Sequence, residues 1–157
     1  MATSGFHLAY GDPDIRYIAE ADTQTFVPGD IVYLVSGEVT ICANDATIFG
    51  VVQSASATDT ENVPVPVSVI SPTQTWIAEF DSAQTAAYIG EDYGITHGTG
   101  DSDVKYSETT NTACTVVDLD PRDGVTTAGG GRVYIKFLPG VLQHMKGSGT
   151  AGIYQST

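Results

Sequence analysis

The sequence predicts a mainly β protein, a compact β-barrel or sandwich with one short helix. An N-terminal arm is expected over residues 1–24, the core over 25–138, and a flexible C-terminal tail over 139–157. Three observations predict this. Apolar runs of strand length recur between turn signals across the middle of the chain. Gly, at 17 residues, is joined by many Thr, Val and Ser, which favours strands and turns over long helices. Two stretches, "VPVPVSVI" and "RVYIKF", alternate with a period of two, the repeat of side chains along a strand.

In chain order, "YGDPD" reads as a turn and "IRYIAEAD" as a short strand or one helical turn, inside an arm that wraps something. Pro28-Gly29-Asp30 is a turn signal. Ile31 to Val35 is a nearly continuous apolar strand, as expected where both faces are covered. Ser36-Gly37 is a two-residue hairpin break. Glu38 to Ala43 returns, Asn44-Asp45-Ala46 turns, and Ile48 to Gln53 is a third strand. Residues 54–62 form a polar loop.

In "VPVPVSVI", Val63, Val65, Val67 and Val69 share one face and Pro64 and Pro66 the other. Proline donates nothing to a ladder, so the strand lies at an edge or its amides face away from a partner. Thr75 to Phe80 places Trp76, Ala78 and Phe80 on one face. Asp81 or Ser82 caps a helix running to about Ile89, which Gly90 ends. Residues 91–111 are polar and read as an exposed excursion. Ala113 to Leu119 is a strand, 120–131 a long turn, and 132–138 a strand with Val133, Ile135 and Phe137 inward.

The charge balance excludes partners. Six basic against nineteen acidic residues give a net charge of −13. Such a chain repels phosphate backbones and anionic lipid, so neither nucleic acid nor membrane is an expected partner. "MATSGFHLAYGDPD" has no basic start and no apolar h-region, so the chain is expected to be made in a cytoplasm with no export signal. Cys42 and Cys114 lack metal-site spacing and read as buried free thiols.

Chemistry is sparse, and no catalytic, cofactor-binding or metal residue is assigned. His7, His97 and His144 fall in the arm, a loop and the tail. Ser102 and Lys105 have the spacing of a Ser-Lys nucleophile pair but lack its helical setting. In "DLDPRDG", Asp118, Asp120 and Asp123 precede Gly124, yet Arg122 occupies the fifth position of a calcium loop, so the register fails. Asp101 and Asp103 are loop carboxylates of the kind that bind hard cations. Glu79 and Asp81 lie side by side rather than across a cleft, unlike a glycosidase pair. "AGGGR" at 128–132 precedes a strand, so it is no phosphate cradle. No cofactor is expected, and the protein is expected not to be an enzyme.

The succession "FVPGDIVYLVSGEVTICANDATIFGVVQ", "VPVPVSVI", "TWIAEF" and "AAYIGEDYGI" resembles the small decoration (cement, head-stabilising) proteins of tailed-phage capsids. The likeness spans about residues 26–138 and is an order of features rather than a single motif. It implies a non-enzymatic β-barrel or β-tulip domain on the virion surface. Such proteins assemble as homotrimers over local three-fold sites and lock capsomers against the pressure of packaged DNA. The implied partners are the major capsid protein and other copies of the chain, met through the arm and barrel edges. No capsid-contact residue is carried over. The competing expectation is a β-barrel binding module, such as a carbohydrate-recognising adhesin or fibre domain, with an exposed aromatic patch using Tyr88, Tyr93 or Tyr106.

Overall fold

A computed structural model describes residues 5–43, 47–57, 63–83, 85–122 and 131–145. Thirteen strands follow in order among them: β1 (His7–Tyr10), β2 (Ile15–Ala19), β3 (Thr25–Phe26), β4 (Ile31–Val35), β5 (Glu38–Ile41), β6 (Gly50–Val52), β7 (Ser56–Ala57), β8 (Pro64–Val69), β9 (Thr75–Glu79), β10 (Asp92–Ile95), β11 (Val104–Lys105), β12 (Cys114–Leu119) and β13 (Arg132–Phe137). The protein is mainly β, as the sequence predicts. One antiparallel sheet runs β1-β9-β13-β12-β10-β11, a second runs β2-β8-β6-β4-β5, and β3 and β7 form a small ribbon.

Both sheets curl. In the first, Val104 of β11 makes a parallel bridge to Phe80, just past β9, and Asp81 N–H donates to Val104 O at 3.1 Å. In the second, Val39 of β5 bridges Glu20, just past β2, and Ala21 N–H donates to Val39 O at 2.9 Å. Among the described residues neither sheet closes into a continuously paired barrel.

Two apolar clusters explain the strand patterns. The larger gathers Phe6, Ile31, Val51, Trp76, Phe80, Val133, Ile135 and Phe137; the smaller gathers Phe26, Val32, Val39, Val52, Val65 and Val67. Ile31 and Val32 therefore face different cores, which is why β4 reads as a continuous apolar run. Trp76, Ala78 and Phe80 are buried together, and β13 alternates as its sequence does. Cys42 and Cys114 are free, buried thiols.

The turns follow their residues. Ser36 and Gly37 take φ of 51° and 83° and join Val35 to Glu38, the paired positive values of a tight hairpin. Pro28 and Gly29 form a turn closed by Asp30 N–H on Val27 O at 3.0 Å. The Asp30 carboxylate then accepts Val27 N–H and Gly100 N–H, both at 2.9 Å, tying this turn to a distant loop.

Several expectations are corrected. The helix over 81–89 is a single 3-10 turn, Ala86–Tyr88, because Asp81 is recruited instead: its Oδ1 accepts Tyr106 N–H at 2.6 Å. Residues 91–111 are not a wholly exposed excursion. They contain β10 and β11, and Tyr93, Ile95 and Val104 are buried in the larger core. β8 is not an edge strand; it lies between β2 and β6. Glu20 N–H donates to Val63 O and Val69 N–H to Asp14 O, so the valines of β8 bond β2. The prolines turn to the β6 side, where Pro66 O accepts Gln53 N–H at 2.8 Å just past the end of β6 and no proline has to donate to β2. Val63 alone of its four valines is exposed.

The terminal segments join the sheets. Residues 7–19 supply β1 and β2, and Phe6 is fully buried. Residues 139–145 form two 3-10 turns with Leu142 fully buried. Gln143 extends the edge of β4 with its side chain: Oε1 accepts Leu34 N–H and Nε2 donates to Leu34 O, both at 2.8 Å. The expected turn at 44–46, the tail beyond 145, and parts of the 54–62 and 120–131 loops lie outside the described residues. No helix among the described residues is long and apolar enough to cross a membrane.

Candidate functional site

Three tyrosines, Tyr106 well separated in sequence from the other two, meet at one place. Tyr88 sits on the 3-10 turn, Tyr93 on β10, and Tyr106 directly after β11. Their ring centroids lie 6.2 Å (Tyr88–Tyr93), 5.2 Å (Tyr88–Tyr106) and 5.9 Å (Tyr93–Tyr106) apart. Phe80 packs beneath all three at 5.3–6.0 Å. The bridge from Val104 to Phe80 makes this convergence, since it draws β11 over the end of β9.

The three phenols line a groove of about 740 Å³, with Glu91, Asp92 and Thr112 on its rim. Its parts are held by backbone bonds. Gly90 N–H donates to Val116 O at 2.7 Å, Glu91 N–H to Tyr88 O at 3.1 Å, and Gly94 N–H to Glu108 O at 2.8 Å. Asp92 Oδ1 accepts Thr115 Oγ1–H at 2.6 Å. Burial pushes the Tyr93 phenol above its ordinary range, helped by the charge of Glu91. Its neighbour Tyr88 raises that of Tyr106. The expected tyrosines are thus brought together, but they are not a wholly exposed patch: Tyr93 is buried, Tyr88 half-buried and Tyr106 exposed. Phe80 and the acidic rim do not stand out in the sequence, since Phe80 reads as strand core and Glu91 and Asp92 as the start of an exposed excursion.

Of the carboxylates weighed for cations or glycoside chemistry, Asp81, Asp101 and Glu79 lie near enough to Asp103 for their charges to act on it. Burial raises the Asp103 carboxyl above its usual range, and the charges of Asp81, Asp101 and Glu79 add to this. Thr96 gives Asp103 a side-chain hydrogen bond, while its Oδ1 is buried without one. Among the described residues no three His, Cys, Asp or Glu side chains are placed to grip a metal ion together.

The remaining candidates have structural employment. Ser102 is buried; its Oγ accepts Ile31 N–H at 3.3 Å and its carbonyl accepts Gly5 N–H at 2.8 Å. Lys105 is exposed on β11, so the two do not form a nucleophile pair. Asp120 is buried under a two-pronged contact from Arg122, with Nη2 to Oδ2 at 2.8 Å, and that hydrogen bonding holds its carboxyl below the usual range. Asp118 is exposed on β12, while Asp123 and Gly124 lie outside the described residues, as do Ala128, Gly129 and Gly130. Glu79 faces Arg132 across β9 and β13.

The histidines occupy separate elements. His7 is on β1, His97 follows β10, and His144 lies edge-on to Phe49 at 6.0 Å. His144 helps line a second groove, of about 380 Å³, with Asp14 and Arg16, and burial lowers its pKa. Arg16 is committed there to Asp14, through bonds of 2.8 and 3.1 Å. Compared with known proteins, the sequence matches no family model and no curated protein.

Proposed function

We propose that this chain is a non-enzymatic structural protein that binds the outer surface of a tailed-phage capsid and stabilises it. Its curled sheets serve as a barrel-like or tulip-like body. It assembles as a homotrimer, contacts the major capsid protein, and resides on the virion after synthesis in the host cytoplasm. The observation that carries the reading is the surface of the first two strands. Tyr10, Ile15 and Tyr17 are 63%, 42% and 74% exposed within eight residues of chain. Large apolar side chains held out on the ordered edge strands of the two sheets, Tyr10 on β1 and Ile15 and Tyr17 on β2, suit a protein partner. The resemblance over residues 26–138 and the acidic charge, which keeps a densely coated particle in solution, support the same reading.

The test is co-sedimentation. An antibody to the protein is used to follow it through a density gradient of source lysate. The reading expects near-stoichiometric travel with virus-sized particles, and Tyr17→Glu is expected to lower occupancy on stripped particles. Recovery only in the light fractions overturns it.

A further inference from the structure

We propose that the tyrosine groove is a binding site for a neutral carbohydrate, independent of any capsid contact. Phenols that serve only as core turn their rings inward and their hydroxyls singly to water. Here Phe80 already fills the floor, and Tyr106 remains 42% exposed above it. Its ring is offered to the groove as a platform. The Tyr88 and Tyr106 rings lie 5.2 Å apart, beside a wall that carries Glu91, Asp92 and Thr112.

A sugar ring has an apolar face of C–H groups and a rim of hydroxyls. It needs an aromatic plane to cover the first, and acceptors and donors to meet the second. Carboxylates accept two neighbouring O–H groups, while phenols and Thr112 both donate and accept. The groove's roughly 740 Å³ falls within the range of small-ligand sites.

Two other ligand classes fit less well. Anionic sugars and phosphates meet Glu91, Asp92 and a chain of net charge −13. A quaternary ammonium needs ring faces turned on a common void. Here each ring packs against the other two at centroid separations of 5.2–6.2 Å, which occupies ring surface that such a cage would turn to the ligand.

The experiment uses the full chain. Amide and tyrosine-ring NMR shifts are followed while cellotriose, maltotriose and tri-N-acetylchitotriose are added to millimolar levels. Sialyllactose and choline serve as contrasting probes. The expected result is a saturable shift of Tyr93 and Tyr106 resonances with at least one neutral trisaccharide. Tyr106→Ala is expected to weaken it about tenfold, and Tyr106→Phe, which keeps the platform, by less. Thermal unfolding of both variants confirms that they fold. Should Tyr106→Ala fail to fold, Tyr106→Phe and Glu91→Gln carry the test: Glu91→Gln must weaken the same sugar. No shift with any neutral probe, unchanged binding in the variants, or a preference for sialyllactose or choline overturns the proposal.

Discussion

Asp103 is the residue whose environment opposes its charge most plainly. Burial and the fields of Asp81, Asp101 and Glu79 raise its pKa in the folded state. A carboxyl raised on folding is better protonated in the native form. It therefore costs stability as pH climbs from the unfolded pKa through the folded one, and the cost persists at neutral pH. Asp103→Asn is expected to stabilise the protein at pH 7 by roughly 1 kcal/mol, and the advantage should shrink as pH falls through the carboxylate range. Thermal melts across pH check this, and a variant less stable at pH 7 refutes it. Asp120 has the opposite sign. Hydrogen bonds from Arg122 lower its pKa, so its contribution is present above the unfolded value and is lost as pH falls through the folded one. Gly50 has a steric role. A Cβ there would sit 2.6 Å from both Ser68 O and Val67 Cγ1. Gly50→Ala should cost about 2–3 kcal/mol, read as a lower denaturant midpoint with an unchanged slope.

At the scale of elements, the strands that were legible carried their own signals. Ser36-Gly37 names its turn, Val133-Ile135-Phe137 its inward face, and the unbroken run of β4 its two-sided burial. The strands that were not legible depend on distant partners. β1 and β2 show little period because half their residues are exposed on outer strands, and only pairing with β9 and β8 defines them. The helix signal at Asp81 was real but local, and Tyr106 N–H outcompetes it from 25 residues away. The tyrosine groove was half legible. Its three phenols are conspicuous, but their meeting rests on the Val104–Phe80 bridge, which no spacing announces. Removing residues 1–19 would strip both strands and the fully buried Phe6. That truncation is expected to abolish cooperative unfolding, since so large a loss of apolar burial exceeds a margin of about 5–15 kcal/mol. A truncated protein that still melts sharply by circular dichroism would show β1 and β2 to be dispensable.

For the whole molecule, the net charge of −13 is the dominant long-range fact. Self-repulsion opposes the compact state and is screened by salt over about 10 Å at 0.1 M. The melting temperature is therefore expected to rise as sodium chloride increases from low to physiological levels, with a fall arguing against repulsion as the governing term.

The lone bridges that draw each sheet round on itself have a further consequence. A seam held by one backbone bridge and a side-chain bond beside it, Tyr106 N–H on Asp81 Oδ1 or Ile41 N–H on Gln24 Oε1, opens before the sheet interior, at a fraction of the free energy of global unfolding. The bridging amides are those of Ala21 and Asp81, bonded to Val39 and Val104. In deuterated water these two protons should exchange well before that of Ile135, in the middle of the six-stranded sheet. Each opening uncovers a strand edge for a moment without dismantling either core. Such an edge is a template onto which another chain can add a strand. The curl that makes each sheet self-contained thus also sets where, and how often, the protein is receptive to a neighbour.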